Sequence, residues 1–156
     1  TYTVNLSSEV RNGTWTLRVQ DAASGDVGRI DTWTLNLGGG GVPGCSGTNG
    51  TDVTIPDNTT VNSTIALTGC TGNASGSSTV EVHIIHTYIG DLVVSLVAPD
   101  GSAYVLHNRA GGSADNINQT YTVNLSSEVR NGIWTLRVRD AAAIDIGRID
   151  SWTLNL

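Results

Sequence analysis

Short runs of alternating apolar and polar residues dominate this chain. Residues 80–84 alternate strictly, which predicts a strand that turns its apolar side chains inward and Glu81 and His83 outward. No segment has a convincing helical period. Runs that predict further strands lie at residues 53–55, 61–67, 92–98, 104–106, 121–123, 134–138 and 152–156.

Turn-forming residues separate these runs. Pro99-Asp100-Gly101-Ser102 is a strong turn signal, because its proline fixes φ and its glycine accepts a positive φ. Gly90-Asp91 and Asn131-Gly132 are shorter turn signals. Residues 109–118 and 140–150 are predicted to be loops. Seven or eight short strands with frequent turns predict an all-β, antiparallel sandwich, in which residues 53–55 and 61–67 form edge strands.

The composition limits the core and the partners. The 156 residues contain no Phe and no Met, so four Trp and four Tyr supply the bulky side chains, and Trp134 and Trp152 take inward positions. The net charge is −6, and all eight cations are Arg. No basic stripe is present for nucleic acid, an anionic membrane would repel the chain, and no apolar run is long enough to span a bilayer.

The chain repeats itself. Residues 1–37 match residues 120–156 at a constant offset of 119, which indicates duplication. We therefore predict three parts: the C-terminal part of a preceding domain (residues 1–37), a Gly-rich linker (residues 38–44) and a complete domain (residues 45–156). The chain holds two copies of a back segment, residues 1–37 and 120–156, but one front segment, residues 45–119. Self-association through residues 1–37 is therefore a further expectation. The pairs that differ are Thr14/Ile133, Gln20/Arg139, Ser24/Ala143, Gly25/Ile144, Val27/Ile146 and Thr32/Ser151.

Two cysteines, Cys45 and Cys70, lie in a Gly-, Ser-, Thr- and Asn-rich β-module. An even pair in this setting predicts one disulfide and an oxidising compartment. Two unrelated buried thiols are the alternative.

Three motifs together resemble the P domain (P/Homo B domain) that follows the catalytic unit of kexin- and furin-like proprotein convertases. The first is Gly90-Asp91-Leu92 with the segment from Leu96 to Ser102. The other two are GIWTLRVRD at residues 132–140 and GRIDSWTL at residues 147–154. Their order and spacing match jointly over residues 53–156, whereas residues 1–37 match only the second half of the family pattern.

The resemblance implies a jelly-roll β-sandwich that is secreted and extracellular. It also implies that the chain is not itself an enzyme but accompanies an upstream protease catalytic domain, a serine endopeptidase of the subtilisin/kexin-like or trypsin-like kind. Its expected role is to stabilise that unit or to help dock a protein substrate. The alternatives are an extracellular binding or adhesion module and a self-associating structural unit.

No catalytic or cofactor-binding residue is assigned from the sequence. There is no Gly-x-Ser-x-Gly elbow. His83 and His86 are three residues apart, so on a strand they point to opposite faces and are interpreted as surface or rim histidines. His107 is given a structural role, and the cysteines and histidines lack zinc spacing.

Calcium is the one metal that the sequence suggests. Eleven of the fourteen acidic residues are Asp, and hard Ca²⁺ prefers carboxylate and carbonyl oxygens in loops. The predicted ligands are Asp91, Asp115, Asp140 and Asp145, and Asp100 occupies a similar turn position. The competing interpretation is that these aspartates cap turns and pair with arginines.

Overall fold

The computed structural model describes residues 14–25, 28–35 and 45–156. The chain divides into two compact units, residues 1–40 and residues 41–156. In the first unit, residues 14–25 and 28–35 form neither helix nor strand. The predicted division into residues 1–37, 38–44 and 45–156 stays a prediction.

The second unit is built from nine short strands. Its one helical element is a turn of 3-10 helix at Ile89–Asp91, and the described residues contain no α-helix. The strands are β1 (Ser46–Asn49), β2 (Val53–Ile55), β3 (Thr60–Leu67), β4 (Ser78–His86), β5 (Leu92–Val97), β6 (Ala103–Asn108), β7 (Ile117–Val123), β8 (Gly132–Asp140) and β9 (Gly147–Asn155).

The strands form two antiparallel sheets. The first sheet has the order β1-β9-β4-β7, with β2 also paired to β9, and the second has the order β3-β8-β5-β6. The pairs β2·β9, β3·β8, β4·β7 and β5·β6 are those of one long hairpin folded over on itself. A jelly roll requires this pairing.

The core lies between the two sheets, so the predicted all-β sandwich is confirmed. The inward positions of the runs at residues 80–84, 134–138 and 152–154 are fully buried, and they include Trp134 and Trp152. Trp152 Nε1–H donates a hydrogen bond to Ser63 Oγ at 3.0 Å, which links β9 in one sheet to β3 in the other. Cys45 and Cys70 form the predicted disulfide.

The predicted loops at residues 109–118 and 140–150 are partly wrong. Strand β7 already begins at Ile117 and strand β9 at Gly147. The reason is clear for β9. The β4–β9 register shifts between His83, which faces Ser151, and Ile84, which faces Ile149. This bulge inserts one residue between the buried positions 149 and 152, and so it breaks the two-residue period on which the strand prediction relied.

β1 was not predicted, because Ser46–Asn49 contains no apolar side chain. It forms as an edge strand by pairing with the end of β9. Within the described residues, no helix has the length and apolar character needed to cross a membrane.

Candidate calcium and docking site

The predicted metal ligands all lie at one end of the sandwich, which we call the acidic end. It is the end at which β4, β6 and β8 finish and β5, β7 and β9 begin. His86 on β4 pairs with Gly147 on β9, and Leu92 on β5 pairs with Asp140 on β8. Because the 3-10 turn connects β4 to β5, it joins the two sheets at this end.

Asp91 and Asp140 lie side by side here. Asp140 is the last residue of β8 and is almost fully buried, and Asp91 is also buried. The carbonyl oxygen of Asp91 accepts the N–H of Ala141 at 2.9 Å, and Asp140 Oδ1 accepts the N–H of Ala142 at 2.9 Å. The backbone therefore fixes both acids at the start of the β8–β9 loop.

His86 faces Asp140 inside the sandwich. Its Nε2 lies 3.4 Å from Asp140 Oδ2, and both side chains are fully buried. Its Nδ1 atom accepts a hydrogen bond from the backbone N–H of Tyr88 at 3.2 Å. The ring hydrogen is therefore on Nε2, which faces the Asp140 carboxylate. The interpretation of His86 as a surface or rim residue is wrong, because the ninth position of β4 still points inward.

Two carboxylate oxygens at the acidic end are buried without a hydrogen-bond partner in the described part of the chain. They are Asp57 Oδ1 and Asp140 Oδ2, and Asp140 Oδ2 faces His86 Nε2 at 3.4 Å, close enough for an ion pair although no hydrogen bond forms. Asp57 lies in the β2–β3 connection, and the neighbouring Asn58 donates its N–H to the carbonyl of Ala142. Buried polar atoms without partners are uncommon in native proteins, and a bound cation is one way to satisfy oxygens of this kind.

Asp115 and Asp145 reach the acidic end from the β6–β7 and β8–β9 loops. Asp145 Oδ1 accepts the hydroxyl of Thr87 at 2.6 Å, and Asp115 is exposed. Asp100 lies at the opposite end, in the β5–β6 turn. It accepts the N–H and the hydroxyl of Ser102, and the backbone bond is the main reason that the pKa of Asp100 is lowered.

The aspartates are thus gathered at one end but are not clustered. Among residues 14–25, 28–35 and 45–156, no three Asp, Glu, His or Cys side chains converge as a metal site. The predicted set of Asp91, Asp115, Asp140 and Asp145 therefore stays a prediction. Asp57 Oδ1, which has no hydrogen-bond partner among the described residues, is the feature that best suits a hard cation, because Asp140 Oδ2 already faces His86 Nε2.

The other two histidines make local contacts. His83 Nδ1 lies 2.9 Å from Asn118 Oδ1, and its Nε2 lies 3.1 Å from Glu81 Oε1. The bond to Asn118 and the carboxylate of Glu81 raise the pKa of His83, although its partial burial opposes them. His107 Nε2 lies 2.9 Å from the carbonyl oxygen of Ile89 and so braces the 3-10 turn.

Exposed apolar side chains lie beside the acids. Ile144 and Ile146 in the β8–β9 loop are 89% and 62% exposed, and Tyr88 after β4 is 38% exposed. Ile144 has a φ of +96°, which is unfavourable for a β-branched residue. The matching residue in the repeat is Gly25, which tolerates such a φ. Neither the exposure nor the positive φ of Ile144 stabilises the fold. Backbone strain of this kind clusters at binding sites, so Ile144 marks a candidate contact surface.

The three sequence motifs occupy the sheets that support this end, and a family model accounts for them. The model described as the proprotein convertase P-domain matches residues 1–37 and 75–156. This chain belongs to the P-domain family. The resemblance inferred from the motifs is thereby confirmed.

Several bacterial proteins contain regions similar to this P domain, and two of the three described next are named as proteases. The leupeptin-inactivating enzyme 1 of Streptomyces exfoliatus is 58% identical over 124 residues, which are 78% of this chain and 28% of that protein. The transglutaminase-activating metalloprotease of Streptomyces mobaraensis is 42% identical over 141 residues, which are 89% and 18%. A calcium-dependent protease of Trichormus variabilis is 42% identical over 112 residues, which are 65% and 17%. The P domain therefore spans less than a third of each of these relatives.

A solved structure has the same fold. The serine protease of Aeromonas sobria matches with a TM-score of 0.52 and 18% identity, over 70% of this chain and 26% of that chain.

Sequence reasoning missed two residues of the site in this P domain. Asp57 follows Pro56 in a recognisable turn, so a search of turn acids would have found it, whereas the burial of His86 depends on which loops cover the end of β4.

Proposed function

We propose that residues 45–156 are the non-catalytic P domain of a secreted bacterial serine endopeptidase and stabilise its catalytic unit by docking against it. The observation that carries this proposal is the family match, together with relatives named as proteases, of which the chain spans 17–18%. The disulfide supports export to an oxidising compartment, as does a similar protein named extracellular basic protease from Dichelobacter nodosus.

The acidic end is the surface that we propose to contact the catalytic unit. Ile144, Ile146 and Tyr88 would supply the apolar area, and their burial at an interface would offset the cost of exposing them to water. The strained φ of Ile144 supports this assignment because glycine would be the easier residue there.

We also propose that Ca²⁺ stabilises this end. Asp57 offers a buried oxygen without a hydrogen-bond partner among the described residues, and Asp140 offers a buried oxygen that faces His86 Nε2 at 3.4 Å. Asp91, Asp115 and Asp145 are the further predicted ligands. A bound cation would tie the β8–β9 loop, which carries Ile144, to the ends of the strands. Calcium would then support docking by holding the loop in one shape.

The docking proposal is tested in the full-length parent protease. Changing Ile144 and Ile146 together to Ser should lower the melting temperature of the catalytic unit and shorten its activity half-life. The control is Val105→Ser, since Val105 is 64% exposed on β6 away from the acidic end. Equal behaviour of the two variants would contradict the assigned surface, and an unchanged protease after deletion of residues 45–156 would contradict the stabilising role.

The serine class of the catalytic unit has its own test, because one similar protein is named a metalloprotease. Inactivation by a serine-directed fluorophosphonate, with resistance to 1,10-phenanthroline, is expected. The opposite result would assign a zinc peptidase and would leave the family membership of this chain unchanged.

The calcium proposal is tested on residues 1–156. Adding Ca²⁺ at about 100 times its Kd should stabilise the fold by about 2.7 kcal/mol, and Mg²⁺ should do much less. Asp140→Asn should abolish the Ca²⁺-dependent rise in melting temperature, whereas Asp100→Asn at the opposite end should retain it. No shift at millimolar Ca²⁺ would refute the proposal.

A further inference from the structure

Strand β7 is an edge strand that lacks the usual protection against further pairing. It bonds to β4 on one side, and its sequence, INQTYTV, contains no charged residue and no proline. Its register with β4 runs without a bulge. Short length, charges, prolines, bulges and covering segments are the devices by which native sheets block their edges. The free edge of β7 is therefore open to an added strand.

The other edge strands of the sandwich each carry such a device. β1 and β2 share one edge and have only 4 and 3 residues. β3 lies against β1 and β2, and its Thr64 carbonyl accepts a hydrogen bond from the side-chain amide of Asn49 at 2.9 Å. The pairing of β6 with β5 is interrupted by a bulge between Val94 and Ser95. The open edge of β7 is thus a specific feature of this strand and not a general property of the fold.

Alternate backbone groups of β7 face away from β4. A strand with one antiparallel neighbour uses the N–H and C=O groups of every second residue for that pairing, and the residues between them point theirs outward. Among the described residues, no backbone hydrogen bond outside the β4 ladder involves Ile117–Val123. An added strand would satisfy these groups and would extend the sheet β1-β9-β4-β7 by one strand.

A cleft of about 320 Å³ opens along this edge, beside the first half of β7. Asn118 and Gln119 both line it. Successive residues of a strand point to opposite faces of the sheet, so a space that touches both of them lies along the free edge. The other lining residues are Ile89, His107, Ala110, Gly111, Asn116 and Ile117. A strand laid against β7 would therefore place a side chain in this cleft.

The part of the cleft that lies outside β7 is held in place by the fold. The N–H of Ile89 in the 3-10 turn donates to the carbonyl of Ala114 at 3.0 Å, and His107 Nε2 lies 2.9 Å from the carbonyl oxygen of Ile89. In the β6–β7 loop, Arg109 and Asn116 have φ values of +52° and +62°. A positive φ is strained for Arg, and backbone strain of this kind clusters where ligands bind. The cleft is thus formed before a ligand enters it, as ligand sites usually are.

We infer that the edge of β7 and this cleft bind an extended, uncharged peptide segment with one aliphatic side chain seated in the cleft. No Asp, Glu, Lys or Arg lines the cleft, so it offers no partner to a charged side chain, whereas Ile89 and Ile117 offer apolar contact. A second copy of the chain also contains such a strand, but the net charge of −6 on each copy opposes that pairing. The inference is independent of the proposed protease role.

Binding of blocked peptides to residues 1–156 tests the inference. The probes are Ac-TSTXTST-amide with Leu, Val, Ile or Asp at X, and binding is followed by NMR of the isotope-labelled protein. The aliphatic peptides should shift the amide signals of Ile117–Val123 and slow hydrogen exchange at alternate residues there. The Asp peptide should bind at least about tenfold more weakly, because its carboxylate would be desolvated without a partner.

Two N-methylated versions of the Leu peptide separate strand pairing from simple burial of the side chain. One version carries the methyl groups on the N–H groups of one edge of the extended peptide, and the second version carries them on the other edge. Only one edge of the peptide can pair with β7. One version should therefore lose binding, and the other should retain it.

Two substitutions with matched controls locate the site. Gln119→Lys places a charge at the open edge and should weaken binding at least about tenfold, whereas Asn62→Lys on the edge strand β3 should not. Ala110→Trp fills the cleft and should weaken binding by a similar factor, whereas Ala103→Trp on β6 should not. All four residues are exposed, so the variants are expected to keep the fold.

Three results would overturn the inference. The first is that no aliphatic probe binds at millimolar concentration, or that both N-methylated versions behave alike. The second is that binding survives both Gln119→Lys and Ala110→Trp, since the peptide then lies elsewhere. The third is that Ile117–Val123 become protected without peptide, at dimer mass in sedimentation, since that result assigns the edge to a second copy of the chain.

Discussion

A hydrogen bond inside the core joins the two sheets of the sandwich. Trp152 on β9 donates its indole N–H to Ser63 Oγ on β3 at 3.0 Å, and both residues are buried. Ser63→Ala removes the acceptor and leaves the N–H without a partner in an apolar environment. The loss of one partner of a buried hydrogen bond costs about 1–3 kcal/mol.

For a domain of this size, each kcal/mol lowers the melting temperature by about 4 °C, so Ser63→Ala should melt about 4–12 °C lower. The assay is thermal unfolding followed by tryptophan fluorescence and near-UV circular dichroism. The control is Thr64→Ala, because Thr64 is the next residue of β3 and is exposed. It should change stability by no more than about 0.5 kcal/mol.

A double-mutant cycle separates the hydrogen bond from simple loss of volume. Trp152→Phe removes the donor, so adding it to Ser63→Ala should cost less than the sum of the two single changes. Strict additivity, or a Ser63→Ala protein as stable as the parent, would refute the view that this bond joins the sheets energetically.

Three further predictions concern other parts of the fold. The disulfide closes a loop of 25 residues, so Cys45→Ala with Cys70→Ala should lower the free energy of unfolding by about 3 kcal/mol in urea titrations; a reduced form of equal stability would contradict this. A Cβ at Gly147 would overlap the carbonyl oxygen of Ile85, so Gly147→Ala should cost about 1–3 kcal/mol. A Cβ at Gly28 would meet no atom within 4 Å, so Gly28→Ala should cost almost nothing. Donation of the Tyr104 hydroxyl to Glu128 raises the pKa of Tyr104, so this contribution to stability is complete below pH 10 and is lost as pH rises through the higher folded value. Tyr104→Phe should therefore remove part of the alkaline fall in melting temperature, and an unchanged pH profile would count against it.

Local patterns determine much of this protein. Strict alternation is sufficient to place β4 and the inward face of β8, because one residue in two must enter the core wherever one face of a sheet is buried. The disulfide also follows from an even pair of cysteines in a Gly-, Ser-, Thr- and Asn-rich β-module, and the family follows from three motifs in a fixed order. Asp91 and Asp140 could be selected from the sequence because turn acids next to apolar strands are visible without coordinates.

Contacts between distant segments decide the rest. β1 has no apolar signal and exists because the end of β9 offers it a partner, and the bulge opposite His83 hides the first half of β9 from any two-residue period. The burial of His86 against Asp140, and the collection of loop acids at one end, arise because β4, β5, β8 and β9 meet there. The sequence by itself determined that the chain holds two equivalent back segments. Only the tertiary structure decided which of them is buried, because a back segment gains its stability from the front segment that it packs against.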